Sequence, residues 1–329
     1  MKFSIIIPVY NRPEEVEELL DTLILQNNKN FELIIVEDGS KLKCDKIVKD
    51  SKSDFEINYF YKENGGPASA RNYGMEKANF DYFIFFDSDC LIPPNYFDIV
   101  NKSLETNYVD AYGGPDAAHK SFTPIQKAIS YSMTSFFTTG GIRGGNEKME
   151  QFKPRSFNMG YSRKVYEQTQ GFSNMRFGED VDMSLKILKN GFSTKLIKEA
   201  FVYHKRRTDF RKFYKQVYNS GIARINLFMR HPKSLKVVHL FPSAFMIGAI
   251  LMVLLGFVKC FFITPVLLYI LLIFVDSLIS NKSIKVAFLS VLASFVQLFG
   301  YGSGFLTAVW KRLILNRKEF HAFRKNFYE

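Results

Sequence analysis

The chain has 329 residues, 47% hydrophobic and 16% aromatic, with a formal net charge of +12. A chain of that size can hold one large domain or two, and the charge asks for an anionic partner: nucleic acid, an acidic membrane surface or phosphorylated substrates. Its three cysteines, Cys44, Cys90 and Cys260, show no metal-ligand spacing and cannot all pair, which excludes a cysteine-spaced metal motif and suits a reducing compartment.

The first apolar run, Phe3 to Val9, is too short for a signal peptide and reads as a strand that starts the fold at once. A helix opens at Pro13, with Glu14 and Glu15 in its first turn and Val16, Leu19, Leu20 and Leu23 on one face. The run Phe31 to Val36, a helix near 69–78 and the run Tyr82 to Phe86 follow. Strand-length runs alternating with helical periods predict βαβ units, a mostly parallel sheet, and ligands at the carboxyl ends of its strands.

Polar motifs stand at those ends. Pro8-Val9-Tyr10-Asn11 closes the first strand, and Glu37-Asp38-Gly39-Ser40 follows the second. Asp38 can accept a hydrogen bond from a nucleobase N–H, or be part of a turn with a helix cap. Asn64 to Asn72 is a glycine-rich turn running into a helix. It suits close approach to a phosphate, with Arg71 as its cation, and is neither a Walker loop nor a GxGxxG. Asp87-Ser88-Asp89 ends the apolar run Tyr82 to Phe86. Carboxylates at the end of a buried strand must be solvated, paired or bound to a cation, and alternating ones can reach a single hard divalent metal, although a polar turn has the same composition. Phe177-Gly178-Glu179-Asp180-Val181-Asp182 opens a helix that stops at Gly191. Its first turn keeps the carboxylate of Asp180 ionised and able to accept a proton; for Asp182 a dipole or supporting role is expected.

These five motifs, in this order over residues 1–205, resemble glycosyltransferase family 2, the inverting transferases with a GT-A-type fold. The resemblance implies an α/β fold, a Rossmann-like, mostly parallel sheet flanked by helices, with C-terminal transmembrane helices added. It implies a nucleotide-diphosphate sugar donor contacted by Pro8, Tyr10, Asn11, Glu37, Asp38, Asn64, Gly66, Arg71, Asp87 and Ser88. It further implies Mg²⁺ or Mn²⁺ on Asp89 and Asp87, with His204 as a third contact or a structural residue. Asp180 is implied as the base that takes the acceptor's proton, and Asn158, Met159, Gly160 and Glu179 as the acceptor side. The Gln-x-x-Arg-Trp signature of the family's processive synthases is missing, since Gln216-Val217-Tyr218-Asn219 departs from it, so one sugar per binding event is expected. Cys90-Leu91-Ile92-Pro93-Pro94 after the triplet differs from the run in polyprenyl-phosphate sugar synthases.

Tyr131 to Gly145 mixes Met133, Phe136 and Phe137 with Gly140, Gly141, Gly144 and Gly145, as a flexible aromatic lid, a lipid-facing loop or plain core packing would. Residues 206–237 interleave basic and aromatic side chains, among them Arg206, Arg207, Phe210, Arg211 and Tyr214. Such a pattern can bind single-stranded nucleic acid. Its place before three apolar runs argues for a helix on an anionic bilayer surface instead, and no nucleic acid beyond the donor nucleotide. Within 238–310 the runs Leu240 to Val258, Cys260 to Val275 and Val286 to Trp310 carry no charge. About 20 apolar residues span a bilayer, a length the second run reaches only by including Asp276. A basic tail, 311–329, with Lys311, Arg312, Arg324 and Lys325, closes the chain. Three crossings would place that tail outside, against the positive-inside rule, unless the third segment bends back at Gly300, Gly302 and Gly304. The expectation is a multi-pass protein of the inner membrane with its catalytic domain in the cytoplasm, acting on a lipid-linked or saccharide acceptor in surface polysaccharide assembly. The alternatives are a polyprenyl-phosphate sugar synthase, and a membrane scaffold or nucleic-acid binder on an inactive transferase fold.

Overall fold

Strand β1 (Phe3–Val9) is buried along its whole length, as a strand covered by helices on both faces must be. The computed structural model describes residues 1–117, 119, 121–140, 152–205 and 207–319. Gly141, Gly144, Gly145, Arg206, Arg324 and Lys325, singled out above, lie outside them.

After β1 come α1 (Pro13–Ile24), β2 (Phe31–Asp38), α2 (Asp45–Asp50), β3 (Ile57–Lys62), α3 (Pro67–Lys77) and β4 (Tyr82–Phe86). Then follow β5 (Cys90–Leu91), α4 (Tyr96–Thr106), β6 (Ala111–Gly113), β7 (Asp116–Ala117), α5 (Pro124–Thr134) and α6 (Phe136–Thr139). Next are β8 (Asn158–Ser162), α7 (Arg163–Thr169), α8 (Glu179–Lys189), β9 (Thr194–Leu196) and β10 (Val202–His204). The last helices are α9 (Phe210–Arg230), α10 (Phe241–Gly256), α11 (Thr264–Asn281) and α12 (Ile284–Ala308).

The main sheet has the order β3-β2-β1-β4-β8-β6-β9. Its first four strands are parallel, and β8 runs antiparallel between β4 and β6. The period of two divides β1 between two cores. Phe3, Ile5, Ile7 and Val9 pack with Leu19, Leu20 and Leu23 of α1 and Val100 of α4, while Ile6 packs with Ala70 and Met75 of α3 and Met183 of α8. A second sheet, β5-β10-β7, pairs His204 with Cys90.

The described residues divide into two compact units, 1–117, 119 and 152–204 in the first, and 121–140, 205 and 207–319 in the second. Both sheets belong to the first. The second contains three helical stretches long and apolar enough to cross a membrane: Val237–Gly256, Cys260–Asn281 and Ile284–Ile314. It also holds α5 and α6, although these lie in sequence between β7 and β8.

The bend expected at Gly300, Gly302 and Gly304 is not formed: α12 runs through all three. Gly302 and Gly304 admit neighbouring backbone instead, and Gly300 admits the side chain of Val217. A Cβ on Gly304 would lie 2.0 Å from the Tyr218 carbonyl oxygen, one on Gly302 2.8 Å from that of Pro242, and one on Gly221 of α9 2.3 Å from that of Tyr301. Hydroxyls of Tyr214 and Tyr218 bond Ser303 and Thr307 along the same seam. Such a small-residue seam lets two helices pack without a hydrophobic drive between them. Gly304→Ala is therefore expected to separate α9 from α12 and cost about 1–3 kcal/mol, read as a lower melting temperature in detergent. Gly248→Ala, whose Cβ meets nothing within 4 Å, is the neutral control.

Candidate active site

The polar motifs gather at the carboxyl ends of the parallel strands. Asp38, fully buried at the end of β2, accepts from the amides of Gly65 (3.0 Å) and Gly66 (2.7 Å) and from Lys62 Nζ (2.7 Å). It thereby fixes the glycine-rich turn ahead of α3. Gly66 takes φ +88°, and a Cβ on Gly39 (φ +75°) would lie 2.7 Å from the Asn64 amide nitrogen, so both positions require glycine. Asn64 donates to the Asp38 carbonyl, and Asn11 accepts from the amides of Lys41 and Leu42. These contacts tie together the loops after β1, β2 and β3. Pro8 and Tyr10 stand at the end of β1 beside them.

Glu37 does not face this space. Its buried carboxylate accepts from Ser40 Oγ, from the amide (2.9 Å) and thiol of Cys44, and from the Tyr59 hydroxyl. The expected donor contact is thus replaced by a positioning role: Glu37 holds the turn that carries Asp38.

The triplet follows β4 directly. Arg71 donates to Asp87 Oδ1 at 2.6 Å and to Glu179 Oε1 at 3.2 Å, and Arg12 donates to Asp89 Oδ2 at 3.0 Å. Ser88 is buried between the two carboxylates. The pairing of β10 with β5 brings His204 Nε2 to 3.1 Å from Asp89 Oδ1 and 3.8 Å from Asp87 Oδ2. The imidazole stacks on Phe157, with ring centroids 5.0 Å apart. Carboxylate oxygens and one imidazole nitrogen converging on one point fit a hard or borderline divalent cation. Cys90 Sγ lies in the same cluster. Burial and the carboxylates of Asp89 and Asp87 push its thiol well up.

The first turn of α8 carries the other carboxylates. Asp180 accepts from Arg155 Nε at 2.5 Å and from the Val181 amide at 2.8 Å. Burial alone would raise its pKa, but the charge and hydrogen bond of Arg155 outweigh it and hold the carboxyl below its usual value. Glu179 shows the opposite balance. Burial and the Asp180 charge push it up to about 7 against the pull of Arg71. Asp182 is buried, with Lys186 Nζ 3.7 Å away.

Asn158, Met159 and Gly160 do not line an acceptor pocket. They lie in β8, hydrogen-bonded to β4 on one side and β6 on the other. The Asn158 side chain accepts from the Tyr96 hydroxyl and donates to the Ala200 carbonyl. A central strand has no free backbone edge for a ligand. Facing Asp180 instead is Arg155, and Arg12 faces Asp89; the motif reading missed both. Arg12 directly follows the first motif, between Asn11 and Pro13, and its place there is the one signal for it; Arg155 belongs to no motif.

The sequence model of the family described as "Glycosyl transferase family 2" matches residues 4–169. An uncharacterized glycosyltransferase of Rickettsia felis is 42% identical over 143 residues, 43% of this chain and 23% of the relative. The uncharacterized glycosyltransferase EpsJ of Bacillus subtilis is 27% identical over 208 residues, 61% of this chain and 60% of the relative. The chain thus spans less than a quarter of the first relative's length and three fifths of the second's. Among solved structures, the mannosyltransferase PcManGT of Pyrobaculum calidifontis, in complex with GDP-Man and Mn²⁺, is similar with a TM-score of 0.61 and 13% identity, over 94% of this chain and 88% of that one. That likeness is one of fold.

Proposed function

The chain belongs to glycosyl transferase family 2, and on that premise we propose that it moves a sugar from a nucleotide-diphosphate sugar to an acceptor hydroxyl by one displacement with inversion. The observation that carries this reading is Arg71, which bonds Asp87 of the triplet and Glu179 beside Asp180, joining two carboxylate groups with different tasks. Asp38, Asn64 and Gly66, with Pro8, Tyr10 and Asn11, shape the nucleotide end. Asp87, Asp89 and His204 would hold Mg²⁺ or Mn²⁺, which when bound offsets the negative charge that grows on the departing diphosphate. The presence of GDP-Man and Mn²⁺ in the fold-matched mannosyltransferase agrees with this donor class.

Asp180 Oδ takes the acceptor's hydroxyl proton while that oxygen bonds the anomeric carbon. The bond from that carbon to the diphosphate oxygen breaks, and its electron pair leaves with the nucleoside diphosphate. Glu179 supports the Arg71 end of the site. The apolar helices of the second unit anchor the protein in the inner membrane, with the first unit in the cytoplasm, and the acceptor is a lipid-linked saccharide in surface polysaccharide assembly.

The test is release of nucleoside diphosphate by the full-length chain in detergent micelles, supplied with a panel of nucleotide sugars, with and without Mn²⁺ or Mg²⁺. No release from any donor, with or without a polyprenyl-phosphate or saccharide acceptor, would refute the transferase reading. Asp89→Ala is expected to weaken Mn²⁺ binding in the presence of nucleoside diphosphate by about a hundredfold or more, read by calorimetry. Unchanged affinity would remove Asp89 from the cation site.

A further inference from the structure

The excursion α5–α6 leaves the first unit after β7, belongs to the second, and returns to β8. No charged residue stands between Ala128 and Gly140. Its contacts run in order along α11: the Tyr131 hydroxyl donates to Asp276 Oδ2, and the Tyr269 hydroxyl donates to the Phe137 carbonyl at 3.2 Å. With a rise of 1.5 Å per residue, Tyr269 lies about 10 Å along α11 from Asp276 and about 18 Å from its Asn281 end. Lys282 and Lys285 follow that end and mark a membrane boundary there. In a hydrocarbon layer about 30 Å thick, α6 therefore reaches the interior of the bilayer if α11 spans it.

Two further observations suit a lipid surrounding. Hydroxyls of the excursion return to its own backbone: Ser132 to the Ile129 carbonyl, Thr134 to that of Ser130, Thr138 to that of Ser132 and Thr139 to that of Ser135. This is how polar side chains are satisfied where water is absent. One face of α5, with Ala128, Ile129 and Met133, is buried with Val286 and Ala293 of α12. At the tip, Phe136 is 72% exposed and Phe137 40%. Leu268, Leu271 and Leu272 of α11, the helix whose Tyr269 bonds this tip, are exposed as well.

We propose that Pro124–Thr139 is a re-entrant membrane element, entering the bilayer beside α11 with Tyr131 on Asp276 and Phe136 among acyl chains. An ionisable residue inside a membrane span calls for a partner, and Tyr131 supplies it from an element that hydropathy does not mark as membrane. The inference rests on α11 as a span and is independent of transfer chemistry.

The test uses the full-length chain in phosphatidylcholine vesicles with Cys260→Ser; Cys44 and Cys90 are buried. A single cysteine at Phe136→Cys carries a bimane. Leu272→Cys, exposed on α11, serves as the lipid reference and Leu42→Cys, exposed in the first unit, as the aqueous one. Doxyl groups on acyl chains are expected to quench position 136 as strongly as 272, and iodide to quench it several-fold less than 42. Iodide quenching at 136 equal to that at 42, with 272 still quenched by lipid, overturns the proposal. Iodide access to 272 as well overturns it through the span itself.

Discussion

Asp180→Asn is expected to lower turnover by about a hundredfold or more while donor affinity stays within about twofold. Asparagine keeps the shape of the carboxylate and can accept from Arg155, but it cannot take a proton. Asp180 is bonded to Arg155 and to its own helix turn, so its change leaves the Arg12, Arg71 and His204 contacts of the triplet in place. Equal turnover in the variant would refute the assignment, and retained anomeric configuration in the product would refute single displacement. The acid side of the pH profile is a second check. A base works deprotonated, so activity falls as pH drops through its pKa. Burial opposes ionisation, but Arg155 outweighs it and places that limb below the ordinary carboxylate range. A limb near pH 7 would instead report Glu179, whose carboxyl stands at about 7.

Arg71→Met is expected to carry the largest stability cost. Only 3% of this side chain is exposed, and its guanidinium pairs with both Asp87 and Glu179. Removing one member of a buried ion pair leaves an uncompensated charge and costs about 3–5 kcal/mol. We expect the low end, because Asp87 is partly exposed and Glu179 can take up a proton. Without Arg71 the pKa of Glu179 rises further. A carboxyl raised above its unfolded value contributes stability at low pH and loses it as pH rises through the folded value, so the variant should weaken from acid toward pH 8. Denaturant unfolding of Arg71→Met, Glu179→Gln and the double variant measures this, with a coupling of about 1–2 kcal/mol expected. A single variant within about 0.5 kcal/mol of the parent would show Arg71 to be dispensable for folding.

The sequence by itself determined the elements whose cause is local. Strands β1, β2 and β4 are legible as unbroken apolar runs because helices cover both faces of a parallel sheet. Helix α1 is legible because Pro13, the acidic first turn and the leucine period all act within a few residues of one another. Two membrane-length helices follow from apolar length alone and the second of the three only with Asp276 included, and the acidic triplet is visible because burial makes carboxylates at a strand end conspicuous. Tertiary structure decided what depends on partners distant in sequence. Strand β8 enters the sheet antiparallel, which turns Asn158, Met159 and Gly160 from pocket lining into core. Arg12 meets Asp89 across 77 positions, and Arg155 meets Asp180 across 25. Gly302 and Gly304 admit neighbouring helix backbones instead of bending their own helix, and α5–α6 joins the apolar unit through Tyr131 and Asp276. In each case the free energy comes from an ion pair, a hydrogen bond or a close backbone approach that local periodicity does not encode, because its two halves meet only once the chain has folded.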